Sequence, residues 1–137
     1  MVFHERIEAA ESIARLLRER GVHCAIYHSR VPPNLRRNAL QLFRRRAFPV
    51  LVTCRSLDEG LDVPDVEVAV IASSTASRRQ RIQRFGRVLR GAPGKSRALV
   101  QTIFATDVEE RRLAEEAASI ADEASVAWAS VHAGRLV

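Results

Sequence analysis

The segment QRIQRFGRVLR, Gln80–Arg90, holds the side chains of this chain that are best suited to chemistry. At 3.6 residues per turn its polar side chains share one third of the helix circumference: Gln80, Gln83, Arg84, Arg87 and Arg90. Most of its apolar side chains lie opposite. Guanidinium groups bind phosphate oxygens through a fixed fork of N–H donors. The pattern predicts a helix that presents cations to a polyphosphate, and a merely solvated basic helix is the alternative.

A second candidate segment, TCRSLDEGLDVP, runs from Thr53 to Pro64 directly after an apolar stretch. Gly60 allows a ligand to approach the backbone closely, and Asp62 can accept a hydrogen bond from a hydroxyl group. A Gly-x-Asp sequence alone is more often only a turn. The position of this segment upstream of the predicted basic helix makes the combination more specific than Gly-x-Asp alone.

Charge is unevenly distributed along the chain, whose net charge is +6. No acidic residue occurs between Glu67 and Asp107, whereas the stretch from Arg78 to Arg97 is rich in arginine. From Asp107 onward acidic residues predominate. Localised basicity of this kind favours an anionic partner, either a nucleic acid or the phosphates of a nucleotide.

The length of 137 residues fits one domain with a core of its own, and the composition is that of a soluble globular protein. The two cysteines, Cys24 and Cys54, both lie in apolar runs and are expected to be reduced core residues of a cytoplasmic protein. The four histidines have no metal-ligand spacing, so no metal site is predicted. No apolar run is long enough to cross a membrane.

Short apolar runs alternate with helical patterns. Strands are predicted at 2–4, 24–27, 50–53, 66–72 and about 98–104. Helices are predicted at 7–20, at 32–46 and from about 77, with a final helix capped by Asp107 and reaching at least Ala124. In the first two helices the expected core residues include Leu16 and Leu35, and Gly21 ends the first.

This alternation predicts an α/β fold, a mostly parallel β-sheet with helices on both faces. Residues 1–137 are expected to form a single domain, in which 107–137 is a C-terminal helical extension. Ligands of such sheets bind at the carboxyl ends of the strands, which is where the segment after Thr53 begins.

Over about residues 1–105 the chain resembles the C-terminal RecA-like domain of superfamily 2 helicases and translocases. MVFHERI looks like motif IV, SLDEGLDVPDVEVAVI like motif V and QRIQRFGRVLR like motif VI. The forms DEGLDVP and QRFGRVLR are most similar to XPB-like DNA repair helicases and to similar DEAH-type or restriction-translocase ATPases. DEAD-box RNA helicases generally begin motif VI with histidine rather than glutamine. One departure is Ala47–Phe48, where the family often has glycine.

The resemblance implies a role for each matching residue. Arg87 and Arg90 would be arginine fingers at the γ-phosphate of ATP, with Gln83 positioning them or the attacking water. Gly60 and Asp62 would face the ribose and the γ-phosphate. The nucleic-acid backbone would be contacted by four residues: Thr53, His28, Ser29 and Arg30. The alternatives are a locally bonded hydroxyl for Thr53 and an ordinary surface histidine for His28.

Two short segments imitate other ATPase motifs. GAPGKS, Gly91–Ser96, resembles a phosphate loop, but Leu89 stands where the pattern requires its first glycine, and the segment leads into a strand. Asp58–Glu59 resembles a Mg²⁺-binding acid pair but belongs to motif V. With both rejected, the chain holds half of an ATP site, and the resemblance implies that ATP with Mg²⁺ is bound mainly by an N-terminal RecA-like domain.

The sequence therefore predicts one domain of an ATP-dependent helicase or translocase, inactive alone, that acts on single- or double-stranded DNA, with RNA as the other candidate. A monomer in the cytoplasm, without membrane attachment, is expected. The alternative is a non-catalytic nucleic-acid-binding or regulatory module that retains the fold. The arginines of the 32–46 helix, such as Arg36 and Arg45, are expected to be solvated.

Overall fold

The computed structural model describes residues 1–54, 63, 66–72, 99–119, 125–132 and 135–136. Its chain forms two compact units, Met1–Ile103 and Phe104–Val137. The predicted basic helix and the segment that follows Cys54 up to Asp62 lie outside the described residues.

The first unit is built on a parallel sheet. Its strands are β1 (Val2–His4), β2 (Cys24–Tyr27), β3 (Val50–Cys54), β4 (Val68–Ile71) and β5 (Leu99–Thr102). Helix α1 (Ile7–Glu19) connects β1 to β2, and helix α2 (Pro33–Arg44) connects β2 to β3. The five strands lie in the order β2-β3-β1-β4-β5, and every pairing is parallel. The predicted α/β fold with a parallel sheet is confirmed.

The two helices cover opposite faces of the sheet, because side chains of β3 alternate between two core clusters. Leu51 packs with Phe3 on the face that α2 covers through Ala39, Leu40 and Phe43. Val52 and Cys54 pack on the other face, against Ala10 and Ala14 of α1. The sheet therefore has apolar contacts on both sides, as a buried parallel sheet requires.

The prediction that Leu16 and Leu35 lie in the core is wrong. Leu16 is 45% exposed and Leu35 is 52% exposed. Helix α1 approaches the sheet through the small side chains of Ala10 and Ala14, one turn apart, and Leu16 lies on the far side of that stripe. Leu35 lies in the first turn of α2, ahead of the residues that contact the sheet.

The second unit contains helix α3 (Asp107–Ser119) and a short antiparallel pair, β6 (Val131–His132) with β7 (Arg135–Leu136). The capping residue of α3 is Thr106 rather than the expected Asp107. Thr106 Oγ1 accepts the backbone N–H of Glu109 at 3.3 Å, and the Glu109 carboxylate accepts the N–H of Ala105 at 3.1 Å. The extension is therefore helical only in part, since a hairpin follows α3.

Candidate functional site

The carboxyl ends of the first strands meet at one edge of the sheet. The register aligns Tyr27 with Thr53, Thr53 with Phe3, and Phe3 with Ile71. Residues directly after these positions therefore follow neighbouring strands at the same edge. This edge is where open parallel sheets bind their ligands. It brings two predicted nucleic-acid contacts, Thr53 and the turn that begins at His28, close together.

The side chain of His28 is buried rather than on the surface, with only 3% of the residue exposed. Its Nε2 lies 3.3 Å from Oε1 of Glu11 on α1. Burial lowers the pKa of His28, as do Arg30 and Arg36, whereas Glu11 raises it. The net lowering of the pKa keeps the ring neutral at pH 7. His28 consequently acts here as a buried support for its turn, and the surface-histidine alternative is wrong.

The turn after His28 is closed by a hydrogen bond from the N–H of Val31 to the His28 carbonyl oxygen at 3.0 Å. Ser29 and Arg30 are exposed on it. The Arg30 guanidinium pairs with the Glu8 carboxylate, Nη2 to Oε1 at 2.7 Å. Glu8 and Glu11 are three residues apart on α1 and so lie on one face of that helix. Together they hold both ends of the turn.

Thr53 is fully buried at the end of β3. Its Oγ1 has no hydrogen-bond partner among the described residues. The alternative of a locally bonded hydroxyl therefore finds no support in the described residues. Of the four predicted nucleic-acid contacts, Ser29 and Arg30 are the two that the structure exposes to a ligand.

The arginines of α2 and of the residues that end it are mainly solvated, as expected. Arg37 and Arg45 are exposed, whereas Arg36 is half-buried with its guanidinium carbon 5.8 Å from the centre of the Tyr27 ring. That distance fits a cation–π contact. Arg36 thus helps to hold α2 against the end of β2.

The predicted nucleotide-binding and catalytic residues lie outside the described residues: Gly60, Asp62, Gln83, Arg87 and Arg90. Within the described part of the chain, no group of histidine, cysteine and carboxylate side chains could hold a metal ion. Among the helices described, none is long and apolar enough to span a membrane.

The sequence reasoning missed Glu8 and Glu11. A signal was available, because these two acids recur at helical spacing upstream of the stretch from Arg20 to Leu57, which contains no acidic residue at all. Acids facing a basic segment are natural partners for its cations. Only the fold reveals which cations they reach.

Comparison with known proteins gives a consistent match. The family model described as the helicase conserved C-terminal domain matches residues 1–92. The chain is 36% identical over 109 residues to an ATP-dependent RNA helicase, DBP8 of Meyerozyma guilliermondii, an alignment that covers 80% of this chain and 25% of that protein. It is 39% identical over 111 residues to a putative DNA 3'-5' helicase, Rad25 of Halobacterium salinarum, covering 80% of this chain and 17% of that protein.

Among solved structures, the C-terminal domain of Dbp5 from S. cerevisiae, bound to Gle1 and IP6, superposes with a TM-score of 0.71 at 20% identity. The superposition covers 88% of this chain and 68% of the other. At this identity the likeness shows the fold alone, which is RecA-like. The chain spans about a quarter or less of the length of the two curated relatives it matches.

Proposed function

The chain belongs to the helicase conserved C-terminal domain family of superfamily 2, and from this premise we propose that it is the second RecA-like domain of an ATP-dependent helicase or translocase. The observation that carries the proposal is the match over residues 1–92, which spans both DEGLDVP and QRFGRVLR. An N-terminal RecA-like domain would be its partner. Opening and closing between the two domains would couple hydrolysis to movement along a strand.

We propose that Arg87 and Arg90 act as arginine fingers, with Gln83 positioning them or the attacking water. Their guanidinium groups would neutralise the charge that develops on the transferred phosphoryl group. Gly60 and Asp62 would lie beside the ribose, because their segment follows β3 at the carboxyl edge of the sheet. When bound, ATP with Mg²⁺ supplies the phosphoryl group and the metal charge, which this chain does not provide.

The turn at His28 would contact the nucleic-acid backbone through the exposed Ser29 and Arg30. A hydroxyl group and a guanidinium group are both common donors to phosphate oxygens. His28 would support the turn from beneath through Glu11. Thr53, buried at the adjoining strand end, would contribute by shaping this edge of the sheet.

The proposed substrate is DNA, and the proposed subgroup is that of the XPB-like helicases. The glutamine that begins QRFGRVLR supports this choice, as does the similarity to Rad25. The similarity to DBP8 favours RNA instead. The two substrates can be distinguished by measuring ATP hydrolysis by the whole protein in the presence of single-stranded DNA and of RNA with the same sequence. Stronger stimulation by RNA would overturn the DNA assignment.

The arginine-finger proposal is tested in the protein that contains both RecA-like domains. Arg87→Ala and Arg90→Ala should each lower kcat by about 10³–10⁵ while nucleotide binding changes little. Arg87→Lys should restore little, since an ammonium group cannot reproduce the bidentate fork. Arg45→Ala replaces a solvated arginine and is the matched control. Its kcat should stay within about twofold of that of the parent protein. Equal losses in all three alanine variants would contradict the assignment of the basic helix.

The chain alone should show no ATPase activity above background, because a phosphate-loop lysine and Mg²⁺-binding acids are needed to hold the β- and γ-phosphates. Turnover by the isolated chain that Lys95→Ala abolishes would instead identify a self-sufficient P-loop enzyme. A regulatory module that binds nucleic acid without catalysis is the second candidate. Normal nucleic-acid binding without ATPase activity in the whole protein would favour it.

A further inference from the structure

Helices α1 and α2 end in the same backbone motif. After α1, the N–H of Gly21 bonds to the Arg18 carbonyl oxygen and the N–H of Val22 to that of Leu17, each at 2.9 Å. After α2, the N–H of Arg46 bonds to the Phe43 carbonyl oxygen and the N–H of Ala47 to that of Leu42, also at 2.9 Å. Both are Schellman motifs, whose key residue adopts a left-handed conformation.

The two motifs differ in the residue at that key position. Gly21 has φ 77°, which glycine adopts without steric cost, whereas Arg46 has φ 59°. Arg46 is the only non-glycine residue with positive φ among those the structure describes. An arginine at a position where glycine is favoured points to a use of its side chain beyond ending the helix.

Arg46 lines a cavity of about 550 Å³ in the first unit. Phe43, Phe48, Pro49 and Val66 form apolar walls, and Arg44 and Glu67 also border it. The cavity lies where β1, β3 and β4 begin, because Met1, Pro49 and Val68 all line it. It is therefore at the edge of the sheet opposite to the turn at His28.

Charge and shape together indicate the ligand. Arg44 already takes part in another interaction, whereas Arg46 makes no ion pair within the described part of the chain. Glu67 is the one acid among the lining residues, against the two cations Arg44 and Arg46, so the lining carries a net positive charge. An occupant should therefore place an apolar side chain between the phenylalanines and a carboxylate on Arg46.

We propose that this cavity is a docking site for an acidic segment of a partner protein, anchored by one large apolar side chain. A nucleic-acid strand is the less suitable occupant, because the proposed strand path lies at the other edge of the sheet. Valine, proline and phenylalanine walls also offer few partners for the polar edges of a base. The site is independent of the proposed ATPase function.

The test is fluorescence anisotropy of the 137-residue chain with a short fluorescein-labelled peptide, in which glutamates flank a single central tryptophan. The chain should bind this peptide, and Arg46→Gly should weaken binding about tenfold, the loss expected for one charge-assisted hydrogen bond. Because glycine suits φ 59°, Arg46→Gly should melt at the same or a higher temperature than the parent. Loss of binding would then not be a consequence of unfolding.

Arg45→Gln is the matched control, because Arg45 is the neighbouring exposed arginine and does not line the cavity. It should leave peptide binding unchanged. A peptide with glutamine in place of tryptophan should bind at least several-fold more weakly. Absence of binding, equal weakening by Arg45→Gln and Arg46→Gly, or indifference to the tryptophan would overturn the proposal. The proposal would also be overturned if single-stranded DNA displaced the peptide and this displacement required Arg46.

Discussion

The Arg30 guanidinium is paired with the Glu8 carboxylate, with 2.7 Å between Nη2 and Oε1. Both side chains are more than half exposed, so solvent reaches the pair. Arg30 is also the cation that we assign to the nucleic-acid backbone. A phosphate must therefore compete with Glu8 for the same guanidinium.

Removing the competing carboxylate should strengthen nucleic-acid binding. The variant Glu8→Gln keeps the size of the side chain but leaves Arg30 without its ion pair. We expect the affinity for single-stranded DNA to rise by roughly two- to fivefold at low salt, the scale of an exposed ion pair. Fluorescence anisotropy over a salt series measures it, and the slope of log K against log salt should steepen by up to about 0.7 if one further phosphate is neutralised.

Glu19→Gln is the matched control for this prediction. It removes the same charge from the same helix, but Glu19 pairs with Arg15, at 4.0 Å, instead of Arg30. If Glu19→Gln raises the affinity for single-stranded DNA as much as Glu8→Gln does, the gain comes from the change in net charge and not from the release of Arg30. In an Arg30→Gln background, Glu8→Gln should bring no such gain.

The stability of the fold should fall in mildly acidic solution because of His28. Burial lowers its pKa, so the unfolded chain takes up a proton at a higher pH than the folded chain does. The contribution of His28 to the free energy of unfolding should be flat above the ordinary pKa of 6.5 and should fall as the pH drops below it. One histidine contributes at most about 1.4 kcal/mol per pH unit. Urea unfolding at a series of pH values measures the slope.

Two variants test whether His28 causes this pH dependence of the unfolding free energy. His28→Gln should reduce it but not abolish it, because burial and Arg6 also lower the pKa of His4. Glu11→Gln should steepen it, since Glu11 is the one neighbour that raises the pKa of His28. A pH profile that His28→Gln leaves unchanged would show that His28 does not carry the dependence.

The buried hydroxyl of Thr53 should be dispensable for stability. Thr53→Val replaces it by a methyl group of similar size, and no described residue bonds to Thr53 Oγ1. The free energy of unfolding should stay the same or rise by up to about 1 kcal/mol. A loss of about 1–3 kcal/mol would instead reveal a partner for the hydroxyl. Weaker DNA binding by a stable Thr53→Val protein would support a direct contact.

Truncation of a buried leucine should lower the free energy of unfolding much more than truncation of an exposed one. Leu51 is completely buried in β3, and Leu51→Ala should cost about 2–5 kcal/mol of unfolding free energy. Leu35→Ala should change it by no more than about 0.5 kcal/mol, because Leu35 is half exposed and alanine is favourable in helices. Urea denaturation of the two variants compares them. Similar losses would mean that Leu35 is covered in solution.

The strands were predictable because they are short, continuous apolar runs between turn signals. Predicted and observed bounds agree fully for β1 and β2 and nearly so for β3. Gly21 was also recognised as the end of α1. The inward faces of the helices were harder to predict, since α1 packs through alanines and leaves Leu16 outside. Apolar character alone does not say which residues allow the closest approach to a sheet.

The candidate site was predictable only as a set of positions. Sequence spacing placed Thr53 and His28 at strand ends, and the register brings those ends together. It could not foresee that both side chains are enclosed, because burial depends on the helices packed above. The support from Glu11 was missed for the same reason, since Glu11 and His28 are seventeen residues apart in sequence.

Cys24 and Cys54 have a practical consequence for measuring domain movement. Each is only 4% exposed, and their thiols lie 3.5 and 3.1 Å from the carbonyl oxygens of Ala14 and Glu5. Buried thiols of this kind react slowly with maleimide dyes. A single cysteine introduced at an exposed position of α2, such as Gln41→Cys, would then accept a fluorophore without removal of the native cysteines. With a second dye on the proposed N-terminal partner domain, energy transfer could follow closure of the proposed ATP cleft in real time.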